Sequence, residues 1–239
     1  KKKKNSQHYN ARMAIYCLDL VRFAVTVGYH GNQDNHISPN RDYVIDAFNR
    51  NLSYDQFVRE QLAGDLLPEP SLQQKIATGY NRVLQTSHEG GVQRKEYLAI
   101  YAADRIRNFS GVFMGATMGG CQCHDHKYDP YTIKDFYSMV SFFADIDEDQ
   151  HLRRGADRIP TIREPEIFLY TDQENAQIAQ IESRIRTIEM SLKSTEQKQG
   201  QQQLKQELEK LKKSRGAIDR SAMKTMITVS IKPREIRIL

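Results

Sequence analysis

Apolar residues recur at helical spacing over most of the chain. Over residues 7–28 the positions Ala14, Leu18, Val21 and Val25 follow a 4-3-4 pattern, which predicts a one-faced helix stopped by glycine. Residues 29–40 are polar and rich in Gly and Asn, the composition of a loop. A second helix is predicted over residues 40–51 on Tyr43, Val44, Ala47 and Phe48. Ser53 with Gln56, and Ser71 with Gln74, have capping-box spacing and open two further helices, the first carrying Phe57, Gln61 and Leu62, the second Ile76, Tyr80 and Val83. After a polar turn at 86–91, a long helix is predicted over residues 93–118 on Tyr97, Ile100, Tyr101, Asp104 and Ile106, with a glycine stop at Gly119 and Gly120. Thr132 then caps a helix whose stripe is Phe136, Met139, Val140 and Phe143.

Beyond residue 165 the period changes. Ile178, Ile181, Ile185, Ile188 and Leu192, then Leu204, Leu208 and Leu211, form two heptad seams separated by a Gln-rich tract holding Gly200. Two such seams predict an antiparallel helical hairpin. Residues 226–231 alternate and β-branch like a strand, and Pro233 interrupts the pattern before residues 236–239. The fold class is therefore mainly α: a multi-helix globular domain over 1–147, an irregular connection over 148–172, a helical hairpin over 173–219, and a β segment over 220–239. That last segment is expected to lead into a following domain, as in a piece of a longer protein.

Charge removes one class of partner. The formal net charge is +5, but the four opening lysines and the 198–220 stretch each contribute +4, so the remainder is slightly acidic. A nucleic-acid surface needs clustered Lys and Arg on a folded face, so no nucleic-acid partner is expected. No run approaches the length of a membrane span, and no signal sequence opens the chain. Three cysteines make no disulfide framework, and Cys17 sits in a helical apolar pattern as packing.

Candidate chemistry is concentrated in Cys121-Gln122-Cys123-His124-Asp125-His126-Lys127-Tyr128-Asp129-Pro130. Thiolates and imidazoles bind transition metals and haem iron, and carboxylates orient ligating histidines. Attachment of a c-type haem uses Cys-x-x-Cys-His, with the histidine as iron ligand. Here Cys123 and His124 keep the second half of that pattern. Gly120 stands where the first thiol belongs, and Cys121 is displaced by one. Met114, Met118 or a distant loop would supply any opposite iron ligand. The alternative is a divalent transition metal such as zinc or copper, held by Cys121, Cys123, His124 and His126 with help from His30, His36 or His88, or by His124 and His126 with Asp125 or Asp129. That reading points to a metal-dependent hydrolase or carbohydrate-processing module. The plain alternative is a polar loop held by its own hydrogen bonds, in a non-catalytic scaffold whose hairpin binds a partner.

The run 119–143, together with Asp-Ala-Phe-Asn from Asp46, Tyr-Asp-Gln-Phe from Tyr54 and Arg-Glu-Gln-Leu-Ala-Gly-Asp from Arg59, resembles the planctomycete cytochrome-c-associated domain DUF1549 (PSCyt2) over most of residues 11–147. The segment 229–239 is similar to the stretch leading into the partner domain DUF1553 (PSD1). The resemblance implies an extracytoplasmic bacterial protein, periplasmic or at the cell surface, with a haem-binding or electron-transfer role. It also implies a following DUF1553-like domain and a cytochrome c domain as partners. Haem c is the cofactor implied, on Cys121, Cys123 and His124. This chain departs from the usual family pattern at Gly120, at Cys17 and Phe113, where relatives carry tryptophan, and at Val25, where they carry aspartate.

Overall fold

The structure is a computed structural model that describes residues 7–27, 33–84, 93–148, 164–194 and 198–235. Gly28, His30, His88 and residues 236–239 lie outside the described residues, and so do the expectations resting on them. The chain forms two compact units, one of residues 1–166 with 225–239 and one of residues 167–224.

In the first unit, helix α1 (Gln7–Leu20) is shorter than its apolar pattern predicts. Arg22 adopts a left-handed backbone, φ 60°, and the Phe23 N–H reaches back to the Leu18 carbonyl at 2.9 Å, closing the helix in the way glycine normally does. That conformation costs a non-glycine residue about 1 kcal/mol. Two charge-assisted bonds from the Arg22 guanidinium to Asp104, at 2.9 and 2.7 Å, offset it. Val25, the last position of the predicted stripe, is consequently 48% exposed. A short antiparallel pair comes next, β1 (Thr26–Val27) with β2 (Gln33–Asp34).

Helices α2 (Ser38–Asn49), α3 (Tyr54–Ala63) and α4 (Leu72–Ala77) are joined through one carboxylate. Glu60 accepts from Tyr43 Oη at 2.7 Å, Gln56 Nε2 at 2.9 Å and Gln74 Nε2 at 3.3 Å. Of the two predicted capping boxes, Ser71 and Gln74 form theirs in both directions. Ser53 starts α3 without a side-chain cap bond, its hydroxyl bonding the Asp55 carboxylate, and the Gln56 side chain goes to Glu60. Helix α4 passes into a 3-10 turn, Thr78–Arg82, which completes the predicted fourth helix.

Helix α5 (Arg94–Phe109) stops well before the predicted residue 118. Its small-residue tail becomes a π turn, Ser110–Met114, then a reversal at Gly115 (φ 63°), then a 3-10 turn, Met118–Gln122. The reversal folds the tail back, so that Ala116, Met118 and Cys121 pack with Ala103 and Ile106 of α5 and with Phe136 and Val140 of α6 (Ile133–Ser141). Helix α6 carries the predicted Thr132 cap, reciprocated by Asp135.

The C-terminal β segment, expected to lead away from this domain, is bound into it. Met226 is fully buried beside Ile37 and Val83. The Thr228 N–H and hydroxyl donate to Thr78 Oγ1 and to the Thr78 carbonyl, both at 2.9 Å. Ser230 bridges antiparallel to Ile146. These polar groups lose water but gain partners, the condition for burying them.

In the second unit, helices α7 (Asp172–Ser194) and α8 (Lys198–Ser221) form the predicted hairpin, with Ile178 and Ile188 buried along the seam. Gly200 lies inside α8 rather than at the break between the helices. Strand β3 (Glu166–Leu169) pairs with β4 (Met223–Met226) at the open end of the hairpin.

Burial pushes the Glu60 carboxyl up, but the bonds from Tyr43, Gln56 and Gln74 outweigh it and hold the group below its usual value. Its contribution is then present above the unfolded value and lost as pH falls through the folded one. Glu60→Gln should lower unfolding free energy by about 2 kcal/mol at pH 7, and denaturant titration should show this difference shrinking below about pH 4.

Candidate functional site

The ligand-rich stretch begins in the 3-10 turn Met118–Gln122, which lies against α5. Gly119 lets this contact close: a Cβ there would meet Arg107 Cγ at 3.3 Å. The Arg107 guanidinium donates to Gln122 Oε1, and Tyr137 Oη donates to the Gln122 carbonyl at 3.3 Å. Cys121 is 0% exposed, packed in the α5–α6 core. Its thiol donates to the Tyr131 carbonyl at 3.6 Å. Burial raises its pKa, and the nearby carboxylates of Asp125, Asp135 and Asp129 add to that.

From Cys123 the chain loops out and returns at Tyr131, whose carbonyl accepts from the His126 N–H at 2.8 Å. His126 holds this loop through both ring nitrogens. The backbone N–H groups of Asp129 (2.8 Å) and Tyr128 (3.3 Å) point at Nδ1, so Nδ1 must carry the lone pair. In the neutral ring the proton is then on Nε2, which lies 3.1 Å from Thr117 Oγ1 and donates to it. Asp125 works in the same way, its Oδ1 accepting the Ile133 N–H at 2.9 Å at the start of α6. An anionic acceptor there satisfies a free donor and matches the positive end of the helix dipole.

His124 is the opposite case. Its Nδ1 lies 2.8 Å from the Asp125 carbonyl, which can only accept, so Nδ1 carries the proton and Nε2 the lone pair. The ring is exposed, as is the Cys123 thiol beside it. A Cβ built on Gly120 would stand 3.4 Å from His124 Cε1 and 3.6 Å from Nε2. A side chain at position 120 would therefore touch the imidazole edge that bears the lone pair.

These placements divide the sequence candidates. Cys123 and His124 face solvent together, whereas Cys121, expected as a second ligand, is inside the core because the Gly115 reversal turns it toward Phe136. His126, expected as a metal ligand, uses both ring nitrogens to hold the loop, Asp125 uses Oδ1 to hold the start of α6, and Asp129 is exposed with its Oδ2 3.5 Å from His126 Nδ1. Among the described residues no three His, Cys, Asp or Glu side chains converge as a metal site. Met118 is fully buried with Cys121, Met114 is 41% exposed in the π turn, and His36 pairs with Glu166 at 2.8 Å. Thr117, Tyr131 and Tyr137 help to hold the loop, and no spacing rule singles them out, because they act through two hydroxyls and one backbone carbonyl.

Among the described residues, clefts of about 410 and 380 Å³ are found in this unit, and neither of these is lined by the loop. Cys17 and Phe113 both line the second. Burial pushes the Cys17 thiol up to about 11.

A protein-family model described as PSCyt2, protein of unknown function (DUF1549), matches residues 4–148. No curated protein and no solved structure matches the chain.

The three free thiols should separate cleanly in reactivity. With its value near 11, about one in a thousand Cys17 side chains is thiolate at pH 8. Iodoacetamide followed by peptide mass mapping should show Cys123 modified first, with Cys17 and Cys121 at least tenfold slower until denaturant is added.

Proposed function

The chain belongs to the PSCyt2 family of proteins of unknown function (DUF1549), and from that premise we propose that it is an extracytoplasmic, c-type-cytochrome-like electron-transfer module of a larger protein. The observation that carries the reading is the His124 tautomer. Its Nδ1–H is committed to the Asp125 carbonyl, which leaves an exposed Nε2 lone pair. Histidines that ligate metals are held in this manner, with the second nitrogen donating to a carbonyl or carboxylate.

The residues present fit a haem through one thiol. Cys123 is exposed and next to His124, whereas Cys121 is in the core. In this reading Cys123 would hold the haem through a single thioether. His124 would ligate its iron through Nε2. The bound haem would supply one-electron redox chemistry. Its electron partners would be a cytochrome c domain and a following DUF1553-like domain of the same protein. A metal-dependent hydrolase draws on His126 and Asp125, whose polar atoms already hold the loop, so no observation favours it.

Co-expression of this chain with the haem-attachment machinery, followed by denaturing gels and pyridine-haemochrome spectra, tests the reading. Covalent haem is expected in a one-to-one ratio, with an α band between those of b-type and double-linked c-type haem. Cys123→Ser should abolish the covalent link, Cys121→Ala should retain it, and Gly120→Cys should move the band to the double-linked position. No Soret absorbance in either the unaltered chain or Gly120→Cys, or a link that survives Cys123→Ser, would overturn it.

A further inference from the structure

The cleft of about 410 Å³ lies at the other end of α6 from the ligand-rich loop, between the end of α3, the end of α5 and the Ile146–Ser230 bridge. Its walls are apolar, with Leu62, Phe109, Phe142 and Phe143 among them. Phe142 is 79% exposed. A large ring left in water at a cavity mouth is a surface awaiting an apolar neighbour.

Two carboxyl side chains, Asp65 and Asp145, line the same cleft, and no Lys or Arg does. The Ser230 hydroxyl donates to Asp145 Oδ2, which holds that carboxylate in place. Asp65 makes no ion pair among the described residues. Burial raises its pKa, with Asp145 adding by repulsion. Two anionic groups without a counter-charge, set among ring faces, complement a positive charge carried on an apolar body. Carboxylates accept charge-assisted N–H bonds, and ring faces attract cations.

We propose that this cleft binds a small organic cation, an amine carried on an aromatic or branched apolar body. A cation between Asp65 and Asp145 relieves their mutual repulsion, while the apolar body covers the exposed Phe142 ring; the Phe143 ring already carries the Arg105 guanidinium at 5.8 Å. The proposal is independent of the reading of His124, since no residue of the 119–130 loop lines the cleft.

The test uses the whole chain with [13C]methyl-methionine labelling, because Met139 lines the cleft and reports on it directly. The probe is 2-phenylethylamine, compared with its neutral isostere 2-phenylethanol and with anionic 3-phenylpropionate. The Met139 methyl signal should shift saturably with the amine, with a Kd on the order of 1 mM, at least tenfold tighter than for the alcohol, and should not move with the carboxylate. Asp65→Asn and Asp145→Asn should each weaken the amine at least tenfold and leave the alcohol unchanged. Equal affinity for amine and alcohol, full amine affinity in both variants, or no Met139 shift up to 10 mM probe would each overturn the proposal.

Discussion

The ligand-rich loop keeps its shape because backbone donors at Tyr128 and Asp129 end on a single lone pair, that of His126 Nδ1. Tyr128 and Asp129 are exposed, so each bond contributes only about 1 kcal/mol net, and its role is to fix the turn rather than to rescue a buried donor. His126 supplies the acceptor, Thr117 fixes its ring from the other side, and Asp125 ties the loop to the first turn of α6. With these three side chains committed, the loop is fixed at both ends. Of the thiols and imidazoles in this stretch, Cys123 and His124 are the ones left facing outward.

The domain is also held by polar groups taken out of water and only partly matched, since Arg105 Nε and Nη1 have no hydrogen-bond partner among the described residues. Arg105 is 2% exposed and donates to Glu148 at 2.6 Å and to the Asn81 carbonyl at 3.2 Å. Arg82 is buried beside it and donates to the Asp147 and Glu164 carbonyls, and burial pushes its pKa down to about 10. Removing one partner of such a pair typically costs about 3–5 kcal/mol, because the other charge is left buried. These arginines link α5, the 3-10 turn after α4, and the segment after α6. The C-terminal strand crosses the same region through Thr228 and Ser230, which is why it belongs to this unit.

Much of this was legible in the sequence, and the failures have physical causes. Helical periodicity located α2 through α6 and the hairpin, and the Ser71 and Thr132 caps form as their spacing predicts. Periodicity overran the end of α1 because Arg22 takes a left-handed turn stabilised by Asp104, a partner 82 residues away. It overran α5 because Gly115 reverses the chain inside a run that still reads as helix. The density of ligand types singles out the candidate stretch in the sequence. Its internal division was not legible, because whether His124 or His126 offers a free lone pair depends on which backbone groups fold against each ring.

That division is the central claim, and nitrogen NMR of the two imidazoles tests it most directly. A long-range proton–nitrogen correlation spectrum of the neutral protein should show opposite tautomers. His124 should be protonated on Nδ1 with a lone pair on Nε2, and His126 protonated on Nε2 with a lone pair on Nδ1. The same tautomer at both rings, or the reverse assignment, would contradict the account.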